Sequence, residues 1–440
     1  MKTLSLLLPE ALVVMTGVAC MFAPRVALLR RPPHLPWIVL ALLAVALAFE
    51  LTAGAQVTTL FHGGFGQDRF ALFGKAAVLL VLIVVVAASD WALLGTFALG
   101  ATLLAGFGAM VVASATGFAG VWAGLELSLI AGVLALGRRE QAASRGLLLA
   151  AGSLDTLLLL GLGAVYSMTG TTILSGVQAG LLGSALTLPL VLAILLVISA
   201  LTARLGLAGS LGPLPATAAG LVLVKLAGTF APVAGAWVVF VPVVAALLML
   251  TGALGALAGG GTRSLLRSAG LVQLGWLIAA LAAPDRVGLG AALFLLGGYL
   301  LAVAGAPLAL GEVPHGLAGL ADRGVGRAAG FSLALLSLAA VPPLAGFFGV
   351  VAVASQLARV GLFWLIVVGV FSLAVVAHAT VRDLRLIFLT SPGEAVPRLH
   401  HAWLAFGGAL AVGVLVIAYG LFANPISGLA LQGAAAIGLR

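Results

Sequence analysis

Charge is what this chain has least of: of 440 residues, only 8% are Asp, Glu, Lys or Arg, against 63% hydrophobic. That scarcity excludes a soluble globular protein of this length, whose surface needs far more charge. Cysteine is nearly absent as well. The single Cys20 excludes an internal disulfide and a thiolate-bound iron–sulfur cluster within the chain. A P-loop, a dinucleotide fingerprint, a CxxC pair and an HExxH motif are all missing from the sequence, so nothing in it is set up to hold NADH, flavin or a cluster. The 59 glycines occur as small-residue helix contacts, not as a phosphate cradle.

What is present is a series of apolar runs, each of about 18 residues or more and so long enough to cross hydrocarbon. They predict an all-α integral membrane protein of about fourteen spans: 4–22, 36–56, 71–89, 92–115, 117–136, 146–167, 183–203, 213–235, 237–260, 268–283, 288–310, 328–356, 361–381 and 402–424. The first run lacks a basic n-region and an A-x-A site and reads as a retained helix. The formal charge of +9 points to membrane topology, not to nucleic acid. Arginines cluster in alternate loops: Arg25, Arg30 and Arg31; Arg138, Arg139 and Arg145; Arg263 and Arg267; Arg323 and Arg327; Arg382, Arg385 and Arg398. The opposite side carries Lys2, Arg69, Arg286, Arg359 and Arg440. The positive-inside rule then places both termini on the periplasmic side of a bacterial inner membrane.

Two lone charges stand inside apolar spans. Lys225 has no other charge for about twenty residues on either side, and an ammonium near the bilayer centre costs about 2.5–3.5 kcal/mol on insertion scales. Glu126, within 117–136, is a second, of opposite sign. Gly and Pro interrupt two segments, 204–215 (RLGLAGSLGPLP) and 341–349 (VPPLAGFFG), which predicts discontinuous helices there. Breaks about 130 residues apart fit paired inverted repeats of a transporter; proline kinks that merely aid packing are the alternative.

Seven stretches carry a family resemblance: LLPEALVV (7–14), DRFALFGKAAVLL (68–80), AMVVASATGFAGVWAGLELSLIAGVLALGRR (109–139), VYSMTGTT (165–172), GPLPATAAGLVLVKLAG (212–228), RSLLRSAGLVQLGW (263–276) and LSLAAVPPLAGFFG (336–349). In this order the chain resembles the antiporter-like membrane subunits of proton-pumping NADH:quinone oxidoreductase (respiratory complex I), most of all subunit N. It is also similar to Mrp antiporter and membrane-hydrogenase subunits. The resemblance implies one polytopic domain: three N-terminal helices (1–90), two inverted five-helix repeats (92–235 and 237–381) and a last helix (402–424). It implies a translocase subunit in the lipid bilayer, with NADH, FMN, Fe–S clusters and quinone on partner membrane and peripheral subunits and no cofactor of its own.

The resemblance also assigns positions. Glu126 matches the fifth-helix glutamate, Lys225 the eighth-helix lysine, and Arg204 stands where the seventh helix supplies lysine. The departures are Val350 in place of the twelfth-helix lysine or glutamate, Gln273 where the tenth helix often has histidine, Gly146 at a sixth-helix lysine site, and a trimmed segment after Arg204. A lysine out of water readily takes its neutral form and so can pass a proton on, with a nearby carboxylate opposing that change. Arginine stays charged, so Arg204 acts only electrostatically or as an interfacial anchor. Asp155 is a candidate partner for Arg204. Gln273 can hold water but not titrate, His378 is either a relay or a structural histidine, and Lys75 is either a snorkelling anchor or a site facing a neighbour. Three functions remain open: a proton-translocating complex I subunit, a degenerate non-pumping spacer, or a cation/proton antiporter or hydrogenase subunit.

Overall fold

The computed structural model describes residues 6–23, 34–53, 58–61, 63–88, 91–136, 141–259, 261–310, 317–390 and 402–437. Of the loop charges, Lys2, Arg25, Arg30, Arg31, Arg138, Arg139, Arg398 and Arg440 lie outside the described residues.

The described residues are predominantly helical. In order come α1 (Leu8–Phe22), α2 (Leu35–Ala53), α3 (Arg69–Ala88), α4 (Trp91–Ser114), α5 (Phe118–Ala135), α6 (Gln141–Thr169), α7 (Leu174–Leu181), α8 (Leu188–Leu211) and α9 (Pro213–Thr229). A 3-10 turn, Ala231–Ala236, leads to α10 (Phe240–Ala258), α11 (Thr262–Ala280), α12 (Arg286–Leu310), α13 (Leu320–Arg323), α14 (Val325–Leu338), α15 (Ala345–Arg359), α16 (Phe363–Leu389), α17 (Ala402–Leu421) and α18 (Ala423–Ala436). Among the described residues, nine helices are long and apolar enough to cross a membrane, or ten if the C-terminal pair α17–α18, bent by 78°, is one span. Each of the fourteen expected segments overlies helix. Five apolar helices, however, have only 10–17 residues, too short to span about 30 Å of hydrocarbon at 1.5 Å per residue.

Four elements were not foreseen: the short α7, the one-turn α13, the bent α18, and a two-stranded antiparallel hairpin, β1 (Thr58–Leu60) with β2 (Phe65–Gln67). The first interruption is also smaller than its sequence implied. Helix α8 continues through Arg204 to Leu211, and the break is Gly212 alone, at φ +121°, which a side chain would strain. The prolines that suggested a longer break sit in the first turn of α9, where a missing amide costs little. The second interruption is a real gap: 339–344 separates α14 from α15.

The centre of the molecule is α9, buried throughout 214–229, packed on α12, whose stretch Arg286–Gly305 is 89% buried. Tyr419 of α17 stacks on Phe294 of α12 and donates to its carbonyl at 2.8 Å. Helices α2 and α6 are peripheral, and exposed Leu149, Leu160, Val239, Leu247 and Val367 turn apolar surface outward, as a lipid solvent requires. Small residues let α4 and α5 touch: a Cβ at Gly108 would lie 2.5 Å from the Ser128 amide nitrogen, and one at Gly124 2.7 Å from the Gly108 carbonyl.

Candidate functional site

Two polar sites form around α9 and its neighbours. The first is centred on Lys225, near the C-terminal end of α9. Helix α4 stops at Ser114, and around its end carbonyls run short of helical partners, Val112 O keeping only a bond from the Ala115 amide at 3.3 Å. The Lys225 ammonium supplies them, donating to Val112 O at 2.9 Å, Ala113 O at 2.7 Å and Ala115 O at 2.8 Å. It also lies 4.7 Å from the centre of the Phe70 ring. The negative end of the α4 dipole favours a cation here. At 6% exposure, Lys225 does not snorkel.

The second site is an ion-pair triad. Glu126, on the face of α5 turned away from the glycine contact with α4, is part-buried. The buried Arg204 of α8 forms ion pairs with both Glu126 and Asp155 of α6. A guanidinium fork is suited to two carboxylates arriving from different helices. This overturns the reading of Arg204 as an interfacial anchor. The triad holds two acids and one base, so an ionised triad carries one net negative charge. The three donors of Lys225 go to backbone carbonyls, so no Glu126–Lys225 ion pair forms; any influence between them is through space.

The remaining candidates disperse. Gln273 of α11 donates to Leu338 O at 2.8 Å, at the end of α14, and its buried Oε1 has no hydrogen-bond partner. The gap beyond is closed by the Gly346 amide donating to Ser337 Oγ at 3.1 Å. Val350 is buried in the apolar core. His378 lies on an exposed face of α16, away from this core. Lys75 is not a snorkelling anchor: it is buried and ion-paired to Glu10 and Glu50. Those two acids escaped notice, although each stands alone inside an apolar span, the same signal that marked Glu126.

The family model described as NADH:quinone oxidoreductase/Mrp antiporter, TM, matches residues 213–375, from the start of α9 into α16. NADH-quinone oxidoreductase subunit N 2 of Rhizobium meliloti is 27% identical, over 92% of this chain and 93% of its own length. The chain is similar to subunit N over nearly its whole length. The antiporter-like fold extends to solved structures. A chain of the Mrp complex from Dietzia sp. DQ12-45-1b superposes with a TM-score of 0.83 at 21% identity, covering 99% of this chain and 97% of that one. A chain of respiratory complex I from Thermus thermophilus gives 0.77 at 23%, covering 96% and 98%. The matched family segment contains Lys225 and Gln273. It leaves out Glu126, Asp155 and Arg204, so the triad rests on geometry in this chain alone.

Proposed function

We propose that this chain is the subunit-N-like, proton-translocating membrane component of a complex I-type NADH:quinone oxidoreductase in a bacterial plasma membrane. Its partners are further membrane and peripheral subunits, which carry NADH, FMN, Fe–S clusters and quinone. The two interruptions, at Gly212 and 339–344, support a division into five-helix units 92–235 and 237–381, with three helices before them, one after, and both termini periplasmic.

The observation that carries the reading is Lys225. It is a titratable amine at the heart of the bundle whose partners are neutral carbonyls, not a carboxylate that would lock its charge. In this mechanism, redox energy released in partner subunits disturbs the Glu126–Arg204–Asp155 triad. Each change of charge there alters how firmly Lys225 holds its proton, and loss of that proton, which leaves the amine two N–H donors, frees one of the three carbonyls at the α4 terminus. Arg204 stays charged throughout and sets the field. Lys225→Ala in the intact complex is expected to lower proton export per electron while leaving electron transfer to quinone measurable. Unchanged proton export would overturn the proposal.

A second reading has its own support. All three ammonium protons are engaged, as in a structural clamp, and Val350 cannot carry charge. If the chain is a spacer, Lys225→Ala weakens assembly without touching the coupling ratio of the complex that forms, and Val350→Lys brings no gain.

A further inference from the structure

Outside both polar sites, at the N-terminal end of the chain, four polar side chains meet in an apolar setting. Glu10 of α1 is 4% exposed, Glu50 of α2 1%, Gln67 of β2 3% and Lys75 of α3 1%. Lys75 Nζ is ion-paired to Glu10 Oε1 and donates to Gln67 Oε1 at 2.6 Å, while Glu50 Oε2 lies 3.9 Å away. Gln67 Nε2 in turn donates to Glu50 Oε1 at 2.6 Å. The Gln67 amide is thus a bridge, presenting its oxygen to the ammonium and its nitrogen to the second acid.

The charge does not balance. One ammonium offsets one carboxylate; the other is surplus, and an uncompensated charge this deep is strongly disfavoured. Among the described residues, nothing adjacent supplies the missing positive charge. Asp68 accepts from the Ala71 amide and adds negative charge, and Arg69 donates outward to Gln432 of α18. Helix α4, packed on α1 and α3, has no ionisable side chain, and the Lys225 ammonium of α9 is held by the end of α4. Glu10 Oε2 is buried without a hydrogen-bond partner, and Glu50 Oε2 is beyond hydrogen-bond reach of Lys75. One proton on either acid would restore the charge balance.

We propose that Glu10, Glu50, Gln67 and Lys75 form a buried proton-binding site, in which the Glu10–Glu50 pair holds one proton opposite the Lys75 ammonium. The site is separate from the Glu126–Arg204–Asp155 triad and from Lys225, and it stands whether or not the chain translocates protons.

Infrared spectroscopy of the full-length chain in lipid nanodiscs at neutral pH tests it through the carbonyl stretch of a protonated carboxylic acid. The wild type is expected to show such a band, shifting in D2O. Glu50→Gln and Glu10→Gln should each abolish it, because the remaining acid then pairs with Lys75. Glu126→Gln should leave it in place. Lys75→Met should raise its intensity about twofold, since both acids must then be neutral. Absence of the band in the wild type overturns the proposal, as does its survival in both glutamine variants. Loss of the wild-type band on adding sodium chloride, with potassium chloride inert, also overturns it and makes the cluster a metal-cation site.

Discussion

Removing the Arg204 guanidinium would leave Glu126 and Asp155 facing each other with no cation between them. Breaking a buried pair commonly costs about 3–5 kcal/mol, and the partial exposure of both acids reduces that. Arg204→Leu should therefore lower stability by about 2–4 kcal/mol, read as a fall in the thermal midpoint of the chain in detergent. Adding Glu126→Gln and Asp155→Asn to the same protein should recover most of the loss, because no unpaired charge remains. A single variant as stable as the parent would show that the triad does not hold these helices together. At this scale the sequence was informative wherever a charge stood alone in an apolar run, as Lys225 and Glu126 do. It could not say that Lys225 would meet backbone carbonyls, because those belong to a helix end more than a hundred residues away. Glu10 and Glu50 carried the same lone-charge signal, and Glu10 even stands within the stretch LLPEALVV, but the family likeness assigns neither of them a role.

Helix contacts set the next level. The meeting of α4 with α5 depends on Gly108 and Gly124, and a larger side chain at either must push backbone aside. Gly124→Leu should cost about 1–3 kcal/mol by overpacking. It should also separate Glu126 from Arg204, so that disulfide trapping between cysteines placed at 126 and 204 falls sharply. Unchanged trapping would mean that another contact positions α5. Helix positions were legible because apolar length is itself the physical requirement of a membrane helix. Where a helix stops was less so. The run 204–215 looked broken, yet nothing before Gly212 prevents α8 from continuing, and Pro213 and Pro215 are well suited to opening α9. The hairpin and α18 were hidden because they are short and more polar than the spans around them, so apolar length does not mark them.

For the whole molecule, the sidedness of its arginines makes the clearest forecast. Both ends of the chain are proposed to face the periplasm, so alkaline phosphatase joined after Arg440 should be active, and a fluorescent protein that folds only in the cytoplasm should stay dark at that site. The reverse result would mean an odd number of crossings or an inverted insertion. Composition set the broad class of the protein at once. The number of full crossings did not follow from it, since five of the described apolar helices have only 10–17 residues and are too short to cross alone.

The small hairpin has a mechanical consequence. Phe65 bridges to Ala115, whose carbonyl accepts a hydrogen bond from Lys225, and Gln67, two residues further along the same strand, grips Lys75 and Glu50. Two residues of extended chain span about 7 Å and stretch very little. That strand is a stiff tie-rod between the two lysines: a recoil of the α4 tip when one amine lets go is delivered, almost undamped, to the grip on the other.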